Sequence, residues 1–128
     1  MRDIQNQFYI FSASLSVLDA IENQRRTSEV ISLLDGAGVK YRLVAGCYDN
    51  TEEISFVVGA KWDDMVHYLA REYNQESVLF VDVCNNATLI YNDQGKIQRL
   101  GKFQRTEDVT GCNAYTMDLK TGNKFICA

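Results

Sequence analysis

The spacing of hydrophobic and polar positions changes period several times along the chain. QFYIFS (7–12) is an unbroken apolar run with β-branched and aromatic members, which predicts a strand buried on both faces. From about Asn23 to Asp35 the period lengthens. Val30, Ile31 and Leu34 fall on one helical face, and Gly36 and Gly38 stop the helix as C-terminal glycines do. The preceding stretch, SASLSVLDAIENQRR, admits two helix starts, Ser16 with Asp19 as a capping box or Asn23 as a later cap. KYRLVAGCY (40–48) and EISFVV (53–58) read as strands joined by Asp49–Asn50–Thr51. A second helix over about Lys61 to Tyr73 carries Trp62, Met65, Val66, Leu69, Ala70 and Tyr73 at helical spacing. SVLFVDV (77–83), ATLIYN (87–92) and GKIQRLGKF (95–103) are further strands. The tail AYTMDLKTGNKFICA predicts a hairpin around Thr121–Gly122–Asn123.

The element order is β-α-β-β-α-β with strands appended. It predicts an α/β (α+β) fold, a ferredoxin-like antiparallel sheet with two helices on one face and additional C-terminal strands. Strands such as 77–83 are apolar on both sides, so the face away from the helices needs cover. Oligomerisation through that open face would supply it.

A chain of 128 residues with 46% hydrophobic and 11% aromatic content fits one globular domain over 1–128. MRDIQNQ lacks the apolar stretch of a signal peptide, and no run reaches membrane-spanning length, so a cytoplasmic protein without membrane contact is expected. Cys47, Cys84, Cys112 and Cys127 are scattered with no CxxC, and His67 is the single histidine, which argues against zinc and for reduced, mostly buried thiols. A net charge of −4 and a pI near 4.9 weigh against nucleic acid, although Arg99, Lys102 and Arg105 cluster locally.

Few residues offer chemistry. The GxG of DGAGVKY follows a helix and precedes a strand, the reverse of a phosphate-binding loop, and reads as a helix stop. His67 falls on the polar side of the second helix, beside Asp63, Asp64 and Arg71, as a solvated side chain. Asn23 and Arg26 form an N-x-x-R at a helix start, where amides and a guanidinium can hold a carboxylate, though a cap and a surface arginine explain them equally. In AGCYDNTEEISFVV, strand alternation sends Glu52 and Glu53 to opposite faces, so at most one faces what Tyr48 faces.

Taken in order, several segments resemble the phage-encoded S-adenosylmethionine lyases, long described as S-adenosylmethionine hydrolases. The resemblance runs through FYIFSAS, NQRR, SLL, GCY, TEEISFVV, VLFV, LIYNDQGK, RLGKFQ and the closing GC with its hairpin, which is nearly the whole chain. It implies a homotrimer with active sites between subunits. It also implies cleavage of S-adenosylmethionine to 5′-methylthioadenosine and homoserine lactone without metal or cofactor, in a phage-infected bacterial cytoplasm, as an evasion of host restriction. Tyr48 and Glu53 match the family's active-site tyrosine and glutamate. Phe103, Gln104, Asn23 and Arg26 share motif resemblance and are candidate substrate-binding residues. Three rival readings remain. One is a lyase for a nucleotide conjugate of S-adenosylmethionine (SAM-AMP), one a non-enzymatic ligand-sensing trimer of the PII type. The third is true hydrolysis, with Glu53 as the base for water.

Overall fold

Five consecutive buried residues form the first strand, β1 (Phe8–Ser12), as its unbroken apolar run requires. Alternate side chains enter two different cores. Tyr9 and Phe11 join Phe56 and Val58, whereas Phe8 and Ile10 join Val57 on the other side of the sheet. The computed structural model describes residues 4, 6–48, 51–92 and 95–128. The Asp49–Asn50 link, Asp93 and Gln94 of LIYNDQGK, and residues 1–3 and 5 of the N-terminal segment lie outside the described residues.

Helix α1 (Ala20–Gly36) begins a turn earlier than the Asn23 start. Asp19 is the N-cap, its carboxylate accepting the Glu22 N–H at 2.8 Å. Neither expected cap operates: Asn23 lies inside the helix and turns back to Leu15, accepting its N–H at 2.9 Å and donating to its carbonyl at 3.0 Å. Gly38, with φ +70°, ends the element by donating to the Asp35 carbonyl.

β2 (Tyr41–Tyr48) and β3 (Thr51–Gly59) form an antiparallel hairpin, and a single 3-10 turn at Ala60–Trp62 leads into α2 (Asp63–Glu72). Then follow β4 (Ser77–Val81), β5 (Asn86–Tyr91), β6 (Ile97–Thr106), β7 (Ala114–Asp118) and β8 (Lys124–Cys127). Val30 and Leu34 of α1 and Val66, Leu69 and Ala70 of α2 pack against Tyr9, Phe11, Phe56 and Val58. Two helices on one face of an antiparallel sheet are therefore present.

The sheet is not the open ferredoxin-like one. Its order is β1-β3-β2-β7-β8-β6-β5-β4, closed into a barrel, with every neighbouring pair antiparallel. β5 to β8 bridge the two edges that an isolated β4-β1-β3-β2 sheet would expose. The face away from the helices becomes the barrel interior, filled by Phe8, Ile10, Val44, Val57, Val81, Ala87 and Phe103. The leftover apolar face expected from the sequence does not exist, because the chain's own C-terminal strands cover it.

Two side-chain expectations also change. Cys84 and Cys112 are exposed and Cys47 and Cys127 half-buried, so the free thiols are not mostly buried; the two exposed ones sit in connections rather than strands. His67 is not simply solvated: its half-buried ring packs edge-on to Tyr9, with centroids 5.4 Å apart. Among the described residues, no helix is long and apolar enough to cross a membrane.

Inside the barrel Phe103 stacks on Phe125 at 5.0 Å and 7° and meets Phe8 edge-on at 5.8 Å, tying β6 to β8 and β1. Phe103→Ala should therefore cost about 3–5 kcal/mol in urea unfolding. A loss below about 1 kcal/mol would show that the ring is not a core element.

Candidate functional site

The β2–β3 register decides which side chains share a face. Gly46 pairs with Glu53 and Tyr48 with Thr51, so Val44, Gly46 and Tyr48 lie on the same side as Val57, Ser55, Glu53 and Thr51. Val44 and Val57 belong to the barrel interior, which makes this the inward face. Tyr48 and Glu53 are diagonal neighbours on it, a separation of roughly 7–8 Å between backbones. Glu52 goes to the other side. It pairs with Cys47, which pairs in turn with Tyr115 on β7, and these three form an outer-face group.

Along the inward face the environment grades from apolar to polar. Val57 and Val44 are fully buried, Ser55 is buried, Glu53 is half-buried, and Tyr48 at the rim is 67% exposed. Ser12 on β1 helps to fix this end, its hydroxyl donating to the Ile54 carbonyl at 2.9 Å and accepting the Ser14 N–H at 2.9 Å. Across Gly46 lies Thr116 of β7, and across Tyr48 lies Ala114.

Glu53 carries the electrostatic signal. Burial alone pushes its carboxyl above the ordinary glutamate range, and no described side chain pairs with it to bring it back. Asp118, on the same face opposite Val44, is the contrast. It is 1% exposed, yet its carboxylate lies 2.9 Å from the Arg42 Nε and accepts the Lys120 N–H at 2.9 Å. One inward carboxylate has a built-in partner. The other has none among the described side chains.

The remaining sequence candidates are not gathered around this pair. Asn23 and Arg26 are engaged with backbone: Arg26 donates from Nε to the Ala13 carbonyl at 2.6 Å and from Nη2 to the Tyr73 carbonyl, with its guanidinium 5.1 Å above the Tyr73 ring. With Asn23 it ties residues 13–15 to α1. Phe103 is 5% exposed within the ring cluster, and Gln104, exposed, faces outward beside it. Two surface depressions of about 490 and 670 Å³ lie elsewhere, the first against Arg25, Glu29, Leu33 and Tyr73, the second against Gln7, Lys61 and Val83. Among the described residues, no three His, Cys, Asp or Glu side chains are placed to hold a metal ion.

Sequence reasoning missed the contribution of β7, whose Thr116 and Ala114 lie opposite Gly46 and Tyr48 in the closed barrel. It also missed Gly46, although a glycine in mid-strand is a visible signal.

In comparison with known proteins, residues 9–128 match the S-Adenosylmethionine lyase family. No curated protein matches the chain.

The position of Glu53 has a consequence for stability. Its pKa in the folded chain lies above the unfolded value, so the ionised form weakens the fold above both values and costs nothing below the unfolded one. Glu53→Gln removes that cost. Tm should rise slightly at pH 7, and the difference should vanish as pH falls below the ordinary glutamate range. A lower Tm at pH 7 would mean that the carboxylate has a stabilising partner.

Proposed function

The chain belongs to the S-adenosylmethionine lyase family, and from that premise we propose that it cleaves S-adenosylmethionine to 5′-methylthioadenosine and L-homoserine lactone. A carboxylate oxygen of the substrate attacks its own Cγ. The O–Cγ bond forms as the Cγ–S bond breaks, the electron pair passing to sulfur to leave a neutral thioether. No proton is transferred, and the substrate brings both nucleophile and leaving group. Orientation is what the protein must add, and for intramolecular attack it is worth about 7–11 kcal/mol. Carboxylate and sulfonium neutralise each other as the ring closes, so a site shielded from water favours the transition state.

The observation that carries this reading is Glu53, a desolvated carboxylate without a described partner, diagonal to Tyr48 on the inward face. It binds the substrate ammonium, and the Tyr48 hydroxyl hydrogen-bonds to the same end of the molecule. Freed from internal pairing, the substrate carboxylate can attack. Asn23, Arg26 and Phe103 support the site through the backbone and core rather than by contact.

The working unit in this proposal is a homotrimer with sites between subunits. Exposed apolar side chains at the same end support it: Tyr48 at 67%, Val17 at 87% and Ile21 at 80%. Gln104, outward on β6, is the residue a neighbour would contribute. Depletion of S-adenosylmethionine starves host methylation and restriction, which suits a phage protein acting in an infected bacterial cytoplasm.

Chromatography of early products in oxygen-labelled water tests the chemistry. Unlabelled homoserine lactone should appear first, and labelled homoserine formed faster than the free lactone opens would place water as nucleophile and Glu53 as its base. Glu53→Gln should lower kcat/KM by at least about 100-fold, whereas Glu52→Gln on the outer face should change it less than about threefold. In the wild type, kcat/KM should fall on acidification through a pKa above the ordinary glutamate value, because protonation removes the anchor. A monomer with full specific activity across dilution would exclude shared sites.

A further inference from the structure

Gly46 stands in the middle of β2 with no backbone reason to be glycine. Its φ is not in the left-handed region that other glycines of the chain occupy, such as Gly101 at +89°. The ladders run through it without a bulge, to Glu53 on one side and Thr116 on the other. A Cβ there would meet the Glu53 carbonyl oxygen and the Ser55 Oγ at 3.7 Å, which is ordinary contact. By contrast, a Cβ on Gly101 would lie 2.6 Å from the Ala128 carbonyl carbon. Alanine at 46 would therefore fit, and it would strengthen the strand, since an interior glycine has the larger entropy to lose. Apart from a bend in the barrel wall, the reason left for a strand glycine is that something approaches the bare backbone closely.

The missing side chain is on the inward face, directly opposite Glu53. We infer that Gly46 is a specificity-determining residue, against whose bare Cα the aminoalkyl chain of the substrate lies while its ammonium rests on Glu53. This inference rests on the anchor role proposed for Glu53. Ring closure requires that chain to fold so that the carboxylate oxygen approaches Cγ from the side opposite sulfur. A methyl group at 46 fills the space that the folded chain needs, holding the ammonium off Glu53. The nucleoside end of the substrate, which carries no aminoalkyl chain, does not meet it.

The test compares Gly46→Ala with the wild type in three measurements. Turnover of S-adenosylmethionine should lose at least tenfold in kcat/KM, chiefly through KM. Inhibition by 5′-methylthioadenosine, the product that lacks the amino-acid end, should change less than twofold. Tm should hold or rise. A kcat/KM within twofold of the wild type overturns the inference. So does an equal weakening of substrate and 5′-methylthioadenosine, or a fall in Tm accompanying the loss, either of which would make Gly46 a structural residue. Wild-type protein that leaves S-adenosylmethionine intact would instead remove the anchor reading itself, and the inference with it.

Discussion

When β7 and β8 join β2 to β6, the sheet loses its edges, and every strand sends alternate side chains into one shared interior. Eight strands enclose a space just wide enough for side chains or for one small ligand. Most of that space is filled by the aromatic cluster of Phe8, Phe103 and Phe125 with the surrounding valines. Closure also sets the surroundings of the β2–β3 hairpin. On an open sheet Glu53 would face solvent and behave as an ordinary surface acid. Inside the rim of a barrel it is half-withdrawn from water, with Gly46 of β2 beside it and β7 one strand further on.

Much of this architecture was legible because alternation is local. The runs FYIFS, YRLVAGCY and SVLFV specify strands wherever they end up, and Val30 with Leu34 specifies a helix face. Separating Glu52 from Glu53 needed only the pleat. Closure was not legible. IQRLGKFQRT carries mostly polar residues and reads as an exposed edge, so nothing local says that Phe103 points into a core. The apolar opposite face then looked like surface awaiting a partner subunit. The helix start was not legible either: Ser16 with Asp19 as a capping box and Asn23 as a later cap offered equal signals, and the cap is Asp19 itself. Asn23 and Arg26 looked like ligand groups because sequence shows donors without showing the Leu15 and Ala13 carbonyls that occupy them.

The two inward carboxylates differ in how their charge is met. Asp118 is deeper, and its guanidinium and amide partners are intramolecular, so its charge is compensated before anything binds. Removing either partner would strand the other. Glu53 is shallower and carries an uncompensated desolvation cost, small enough to tolerate because half of its surroundings are still water. A group held in that condition favours ligands that carry positive charge. S-adenosylmethionine brings two such charges, an ammonium and a sulfonium, and only the ammonium survives the reaction.

That asymmetry decides what an anchor at Glu53 can contribute. The ammonium has the same charge in substrate, transition state and lactone, so its attraction to Glu53 by itself is uniform binding and lowers KM without speeding chemistry. Acceleration must come from what the anchor does to the other end of the amino-acid group. In free substrate the ammonium lies beside the carboxylate that has to attack, and their mutual attraction stabilises the ground state. In the proposed reaction, an ammonium held by Glu53 would leave the carboxylate without that internal partner and make it the better nucleophile, while the barrel rim would limit the water that could replace it. The contribution to kcat thus depends on geometry as much as on charge. For the proposed role Glu53 would have to hold the ammonium from the side away from the carboxylate, a demand that a fixed strand position two residues along the pleat from Ser55 suits better than a mobile loop.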